Sequence, residues 1–257
     1  MKMTNKPLSR SEIQARLNTP INILKFDKID STNTFSKEYI ATHPNNTAVV
    51  IAEAQTNGYG RFQRDFYSPQ STGIYLSIII PTDKIIPGLL TTMTGLTTVK
   101  ALKRSFPEVN LKLKWINDIL LNSKKIGSIL AENIPNDNGS NLIIGIGINL
   151  NTIEFPDELK SIAGSISNNS TVDRNKIIAD ILNCFFEQFK TYQTGEFLPE
   201  YRRICDTLTR TVRITNGNQE TIGQAIDIAA DGSLVLLDNK KLRHIINSGE
   251  VTKVYLE

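Results

Sequence analysis

Cysteine is nearly missing from this chain: 257 residues contain only Cys184 and Cys205. Two thiols so far apart exclude a disulfide framework and a metal-ligand spacing, and they suit a reducing compartment. Cys184 sits among Phe185, Phe186 and Phe189, where a small buried thiol is the expectation. Long hydrophobic runs are absent too. The strongest apolar stretches, 73–81 and 142–150, are strand-sized and too short to span a bilayer. The opening residues, MKMTNKPLSRSEIQ, hold no apolar core of a signal peptide. Nor is charge of one sign in excess. The 29 basic and 26 acidic residues leave a net +3, too small and too scattered for a nucleic-acid surface. There is no internal repeat and no low-complexity segment. What remains is a composition 40% hydrophobic and 21% charged, enough to build a core. These absences together predict a cytoplasmic protein with neither membrane nor nucleic-acid partner.

Hydrophobic patterning predicts an α+β organisation. A short helix starts near Ser9, with Glu12 three residues on as in a capping box. Strands are expected over 24–29, 48–54 and 73–81, and a helix over 32–41 after the polar run Ser31-Thr32-Asn33. Pro87 opens a helix to about Phe106, with Leu89, Met93, Leu96 and Val99 on one face. Strands over 111–115, 118–121, 125–132 and 141–149 follow, with turns at 122–124 and 137–139. Helices are read at 173–192 and 198–205. From Thr207 onward only short alternating strands remain, with turns at Asn216-Gly217, Asp231-Gly232 and Asp238-Asn239. Some fifty residues of this kind read as a small β-barrel, whose closure hides strand edges. The division expected is an extension over 1–24, a main domain over 25–206 and a β-module over 207–257.

Four places could carry chemistry. Asp30-Ser31-Thr32-Asn33 is either a helix N-cap or a set of hydroxyls and an amide for a polar ring. The loop 55–64, with Gly58, Gly60, Arg61 and Arg64, combines close backbone approach with permanent cations suited to phosphate or carboxylate. In Lys114-Trp115-Ile116-Asn117-Asp118, Asn117 and Asp118 are poor strand formers between apolar strands, so their side chains have local work. Lys125 stands in the following hairpin. Finally, Gly145-Ile146-Gly147-Ile148-Asn149 ends a strand. It lacks the third glycine and the following helix of a dinucleotide fingerprint. Its small residues would let a flat ligand lie against the sheet.

Taken in order, the segments DSTN, AEAQTNGYGRFQR, YSPQSTGIYLSI, LKWINDILLNSKKIGSILAE, IIGIGINLN and a terminal module with SGEV resemble the biotin–protein ligase family. The resemblance runs from about residue 25 to the end. It implies a mixed β-sheet flanked by helices, like the class II aminoacyl-tRNA synthetases, with a C-terminal SH3-like β-barrel. It also implies activation of biotin by ATP, with Mg²⁺ expected beside the nucleotide, and transfer from biotinyl-AMP to a carrier lysine. By the same resemblance Ser31, Thr32, Asn33 and Gln55 match the groups that bind the ureido ring. Gly58, Tyr59, Gly60, Arg61 and Arg64 belong to the loop that covers the biotinyl-adenylate. Lys125 matches the lysine beside the carboxylate and acts with Arg61 in catalysis, while Asn117 and Asn149 look toward the adenine. No metal ligand is identified.

The sequence departs from the family pattern in places. The family loop reads GRGRxGR, but Tyr59 replaces its first arginine and Gln63 its third glycine; KWPND becomes KWIND at Ile116. A lipoate–protein ligase would use the same architecture with an apolar tunnel and no ureido-binding groups. A bifunctional ligase and repressor would need a helix-turn-helix, for which the 24 residues before the first strand are too few. The implied partner is a biotin carboxyl carrier protein or domain, and a homodimer is compatible with the resemblance. The first 20 residues carry no matched motif, so their removal is expected to leave ligation near wild type.

Overall fold

The computed structural model describes residues 5–82, 84–136, 139–167, 172–217 and 219–253. Its elements are α1 (Arg10–Gln14), β1 (Asn22–Phe26), α2 (Thr32–Thr42), β2 (Ala48–Ala52), β3 (Gly73–Thr82), α3 (Pro87–Ser105), β4 (Lys112–Lys114), β5 (Asp118–Leu121), β6 (Lys124–Asn136) and β7 (Gly139–Asn149). They are followed by α4 (Arg174–Phe189), α5 (Leu198–Ile204), β8 (Thr211–Asn216), β9 (Gln219–Ile228), β10 (Leu234–Leu237), β11 (Arg243–Ile246) and β12 (Glu250–Lys253). No helix among the described residues is long and apolar enough to cross a membrane.

The first seven strands form one sheet in the order β1-β2-β3-β7-β6-β5-β4. Only β1 and β2 run parallel, so the sheet is mixed, as expected. Strand β2, AVVIA, is buried on both faces, and its alternation divides the core in two. Val49 and Ile51 face the large cluster under α3 and α4, while Ala48 and Val50 join Ile40, Ile79 and Ile143 beneath α2. Local sequence sets the helix starts. Ser9, Ser31 and Asp173 each accept the backbone N–H three residues on, and Pro87 opens α3. Several boundaries move: β1 stops at Phe26, leaving Ile29 as a single bridge to Gln55, β2 ends at Ala52, β6 runs on to Asn136 and α4 ends at Phe189. Of the 137–139 turn, Asp137 and Asn138 lie outside the described residues.

The stretch before β1 is built into the core. Leu8 and Ile13 are buried, and the Leu8 N–H donates to Glu53. The Glu53 carboxylate also pairs with Arg174 at 2.7 Å, and both side chains are almost wholly removed from water. Arg174 in turn donates to the Lys6 carbonyl, and Asn175 to that of Pro7. These contacts argue against the expectation that removing the first 20 residues leaves ligation near wild type. A short polar segment gives no periodic signal, yet its backbone satisfies buried charge.

The C-terminal strands form a five-stranded antiparallel sheet ordered β11-β10-β9-β8-β12, the all-β module expected. Its turns use the residues expected of them: Gly217 and Gly232 take positive φ, and Asp238 accepts from the Lys240 and Leu242 N–H groups. The module is docked by the tryptophan. Trp115 Nε1 donates to the Gly232 carbonyl at 2.9 Å, and its backbone N–H donates to Thr207 Oγ1 at 2.9 Å. Gly232 also lies backbone to backbone against Gly88 of α3, where a Cβ on Gly88 would stand 2.5 Å from the Asp231 carbonyl oxygen. We expect Gly88→Ala to destabilise the protein by about 1–3 kcal/mol, since neither backbone can retreat. An unchanged thermal midpoint would show that the turn yields freely.

Candidate active site

Two adjoining pockets lie at one end of the main sheet. The first, of about 370 Å³, is lined by Ser31, Thr32, Asn33, Gln55, Tyr59 and Gly60 together with the apolar groups of Phe66, Tyr75 and Leu130. Its polar end is a closed hydrogen-bond chain. The Thr32 N–H and hydroxyl donate to Gln55 Oε1 at 2.8 and 3.1 Å, and Gln55 Nε2 donates to Ser68 Oγ at 2.9 Å. Ser77 donates to Asn33 Oδ1 and lies 2.8 Å from Thr32 Oγ1. These contacts fix rotamers that would otherwise be free at a helix N-terminus. Gly58 lines neither pocket. A Cβ there would stand 2.6 Å from Gln55 Nε2, so its smallness lets the chain pass beside Gln55.

The glycines of β7 leave room for side chains of two other segments. A Cβ at Gly145 would meet Asn33 Oδ1 at 2.5 Å, and one at Gly147 the Phe66 ring at 2.6 Å. The room they leave over the sheet is taken by these two side chains, which become part of the pocket wall. Both glycines line the first pocket beside these side chains.

The second pocket, of about 560 Å³, is lined by Arg61, Phe62, Arg64, Lys114, Asn117, Asp118, Lys125 and the 249–251 segment of the C-terminal module. Gly60 and Phe66 line both pockets and so mark their junction. Lys125 Nζ pairs with Asp118 Oδ1 at 2.7 Å, and Ser128 Oγ donates to the same oxygen at 3.0 Å. Asn117 Nδ2 donates to Ser128 Oγ and to the Ile129 carbonyl, both at 3.0 Å, tying the KWIND turn to β6. This is the local work anticipated for Asn117 and Asp118. Arg64 makes a two-pronged pair with Glu250, which draws that carboxyl below its usual range. Arg61 donates to the Gly249 carbonyl at 3.2 Å. Among the described residues it has no carboxylate within ion-pair distance, and burial lowers its guanidinium from the ordinary value. Asn149 lines neither pocket; its Nδ2 donates to the Gly164 carbonyl, and its buried Oδ1 has no partner among the described residues.

Ser31, Thr32, Asn33, Gln55, Tyr59 and Gly60 are thus gathered at one pocket, and Gly60, Arg61, Arg64, Asn117 and Lys125 at the next. Asp118, Ser128 and Phe66 belong to the same walls, and Glu250 reaches them from the far end of the chain. Of these, only Asp118 was singled out from sequence, as a residue with local work and not as part of a binding site. The one signal for Asp118 is its place beside Asn117 in an otherwise apolar hairpin. No group of three or more His, Cys, Asp or Glu able to hold a metal occurs among the described residues.

A pocket of neutral hydrogen-bonding groups thus adjoins one lined by four cations and three carboxylates, Asp65, Asp118 and Glu250. Comparison with known proteins makes the class specific. Residues 25–149 match the biotin/lipoate A/B protein ligase family, and residues 207–254 match the biotin protein ligase C terminal domain. The bifunctional ligase/repressor BirA of Bacillus subtilis is 32% identical over 96% of this chain and 80% of its own length. The biotin–[acetyl-CoA-carboxylase] ligase of Mycobacterium tuberculosis is 27% identical over 79% of this chain and 77% of its own. The solved biotin protein ligase from Aquifex aeolicus, in complex with biotin and ATP, superposes with a TM-score of 0.77 at 28% identity, covering 90% of this chain and 97% of that one. The chain belongs to the biotin protein ligase family.

Proposed function

We propose that the two pockets divide one reaction between them. The reaction is that of the family: ATP activates biotin to biotinyl-AMP, and the acyl group passes to a lysine of a carrier protein. The observation that carries the division is the shared wall at Gly60 and Phe66, with neutral hydrogen-bonding groups on one side and, on the other, Arg61, Arg64, Lys114 and Lys125 among three carboxylates. The first pocket takes the bicyclic end of biotin. Ser31, Thr32 and Gln55 supply neutral donors and acceptors for the ureido group, and Phe66, Tyr75 and Leu130 supply apolar walls. The carboxylate then reaches the junction, where ATP occupies the second pocket.

Bringing a carboxylate to an α-phosphate sets like charges together. At 4 Å and an effective dielectric of about 20, each unit pair costs roughly 4 kcal/mol. Lys125 and Arg61 offset this and stabilise charge developing on phosphorus. The carboxylate oxygen attacks the α-phosphorus and pyrophosphate leaves. The carrier amine then attacks the carbonyl carbon and AMP leaves. Mg²⁺ accompanies ATP, but Asp118 and Glu250 are both engaged by cations and no protein cage is formed among the described residues. An ion held chiefly by phosphate oxygens fits this arrangement.

Pyrophosphate exchange tests the reading. Labelled pyrophosphate should enter ATP only when biotin is present. Exchange driven by lipoate and not by biotin would assign the first pocket to the other acid.

A further inference from the structure

We propose that Glu132 is a positioning residue that ties the glycine–arginine loop down across the first pocket, acting through Tyr59 and Asn33, with Lys37 as its counter-ion. The observation is a convergence of three elements on one carboxylate. Tyr59, from the loop, donates its hydroxyl to Glu132 Oε2 at 3.1 Å. Asn33, from the first turn of α2, donates Nδ2 to the same oxygen at 2.9 Å. Lys37, one turn further along α2, pairs with Oε1 at 2.7 Å and stands 5.4 Å over the Tyr59 ring. Glu132 itself lies on β6 at the end of the apolar run ILA, opposite Ile143 in the register, a place where a lone carboxylate has no packing reason to be.

The loop has a reason to need the tie. Tyr59 is bridged to Asp65, and the Gly60 N–H donates to the Arg64 carbonyl, so the two strands of the loop meet beside Tyr59. At its tip Phe62 and Gln63 both sit in the left-handed region, with φ of 58° and 57°. Neither is glycine, and that conformation is unfavourable for ordinary side chains. Phe62 is also 60% exposed, so its ring gains little from burial. A strained and exposed tip persists only where outside contacts hold it. Arg61 and Arg64 tie it to the 249–250 segment, and Tyr59 ties its base to Glu132. Tyr59 stands where the family loop carries an arginine. A hydrogen bond to a buried-side carboxylate here supplies an anchor on the sheet, and the same carboxylate orients Asn33 in the first pocket. Loop order and pocket geometry are thereby joined in one residue.

The alternative is that Glu132 and Lys37 form a half-exposed ion pair of little consequence. This inference rests on the proposed function only for the loop's role in covering ligand, and the test separates the two. Full-length protein without ligand is treated briefly with trypsin, and cleavage after Arg61 and Arg64 is followed by mass spectrometry. Tyr59→Phe and Glu132→Gln should each speed these cuts about tenfold, the scale of one hydrogen bond to a charged group. The double variant should cut no faster than the quicker single one, because both remove the same contact. Cleavage after Lys240 and Lys241 in the C-terminal module should not change. In pyrophosphate exchange the apparent KM for biotin should rise about tenfold with kcat nearly constant, since binding must then order the loop. Wild-type cutting rates in both single variants would overturn the proposal. So would additive effects in the double variant, or faster cutting at Lys240 and Lys241 in parallel, which would mark a general loss of stability. Failure of biotin to drive exchange in the wild type would instead count against the function and leave the trypsin result standing.

Discussion

Lys125→Ala should lower biotin-dependent pyrophosphate exchange by about 10²–10³-fold, the usual loss when one preorganised charge is removed from a developing anion. Biotin should still bind, because Ser31, Thr32 and Gln55 are neutral groups in the first pocket while Lys125 lines the second. The loss has two parts. The ammonium no longer offsets the approach of carboxylate to phosphate. In addition Asp118, which pairs with Lys125 at 2.7 Å and is largely shielded from solvent, is left as an unpaired anion facing ATP. Asp118→Asn in the Lys125→Ala background should therefore recover part of the activity. Stopped-flow measurement of adenylate formation distinguishes the cases. A rate unchanged in Lys125→Ala would mean that this lysine is only a hydrated turn residue.

Arg174→Met should destabilise the protein by about 3–5 kcal/mol, since it leaves the buried Glu53 carboxylate without its cation. That is a large share of the roughly 5–15 kcal/mol that holds an ordinary domain folded. Arg174 is wholly buried and bonds at once to Glu53 and the Lys6 carbonyl, so helix α4, strand β2 and the N-terminal segment meet at one guanidinium. Deleting residues 1–20 attacks the same junction. It removes Leu8 and Ile13 from the core, the Leu8 N–H from Glu53 and the Lys6 carbonyl from Arg174. We expect the truncated chain to unfold at much lower urea than the full one. Gln55 lies two residues beyond Glu53, so its activity should fall with its stability. A truncated protein with an unchanged urea midpoint and full activity would show the segment to be dispensable.

Much of this protein was legible in its sequence because it rests on contacts between near neighbours. Caps at Ser9, Ser31 and Asp173 are satisfied within three residues, α3 begins at its proline, and the turns at Gly217, Gly232 and Asp238 follow from φ preference and side-chain acceptors. Continuous apolar runs likewise mark β2 and β3, which are buried on both faces, and most of β7. The order of the motifs pointed to the family before any contact was known. Motif residues alone did not reveal how the site is held. Glu53 and Arg174 are 121 residues apart, Tyr59 and Glu132 73 apart, and Trp115 and Gly232 117 apart. Such pairs have no period and no spacing rule, and each partner alone looks like an ordinary charged, aromatic or turn residue. The β7 glycines show the same limit. Their sequence offers room over the strand, and only the folded sheet shows that Asn33 and Phe66 stand beside it. Local sequence determined the elements and the chemistry present, because helix, strand and turn are decided within a few residues. Only the tertiary structure decided which charges are paired, which side chains stand beside the glycines and which segment joins the core, because those depend on side chains meeting after the whole sheet has assembled.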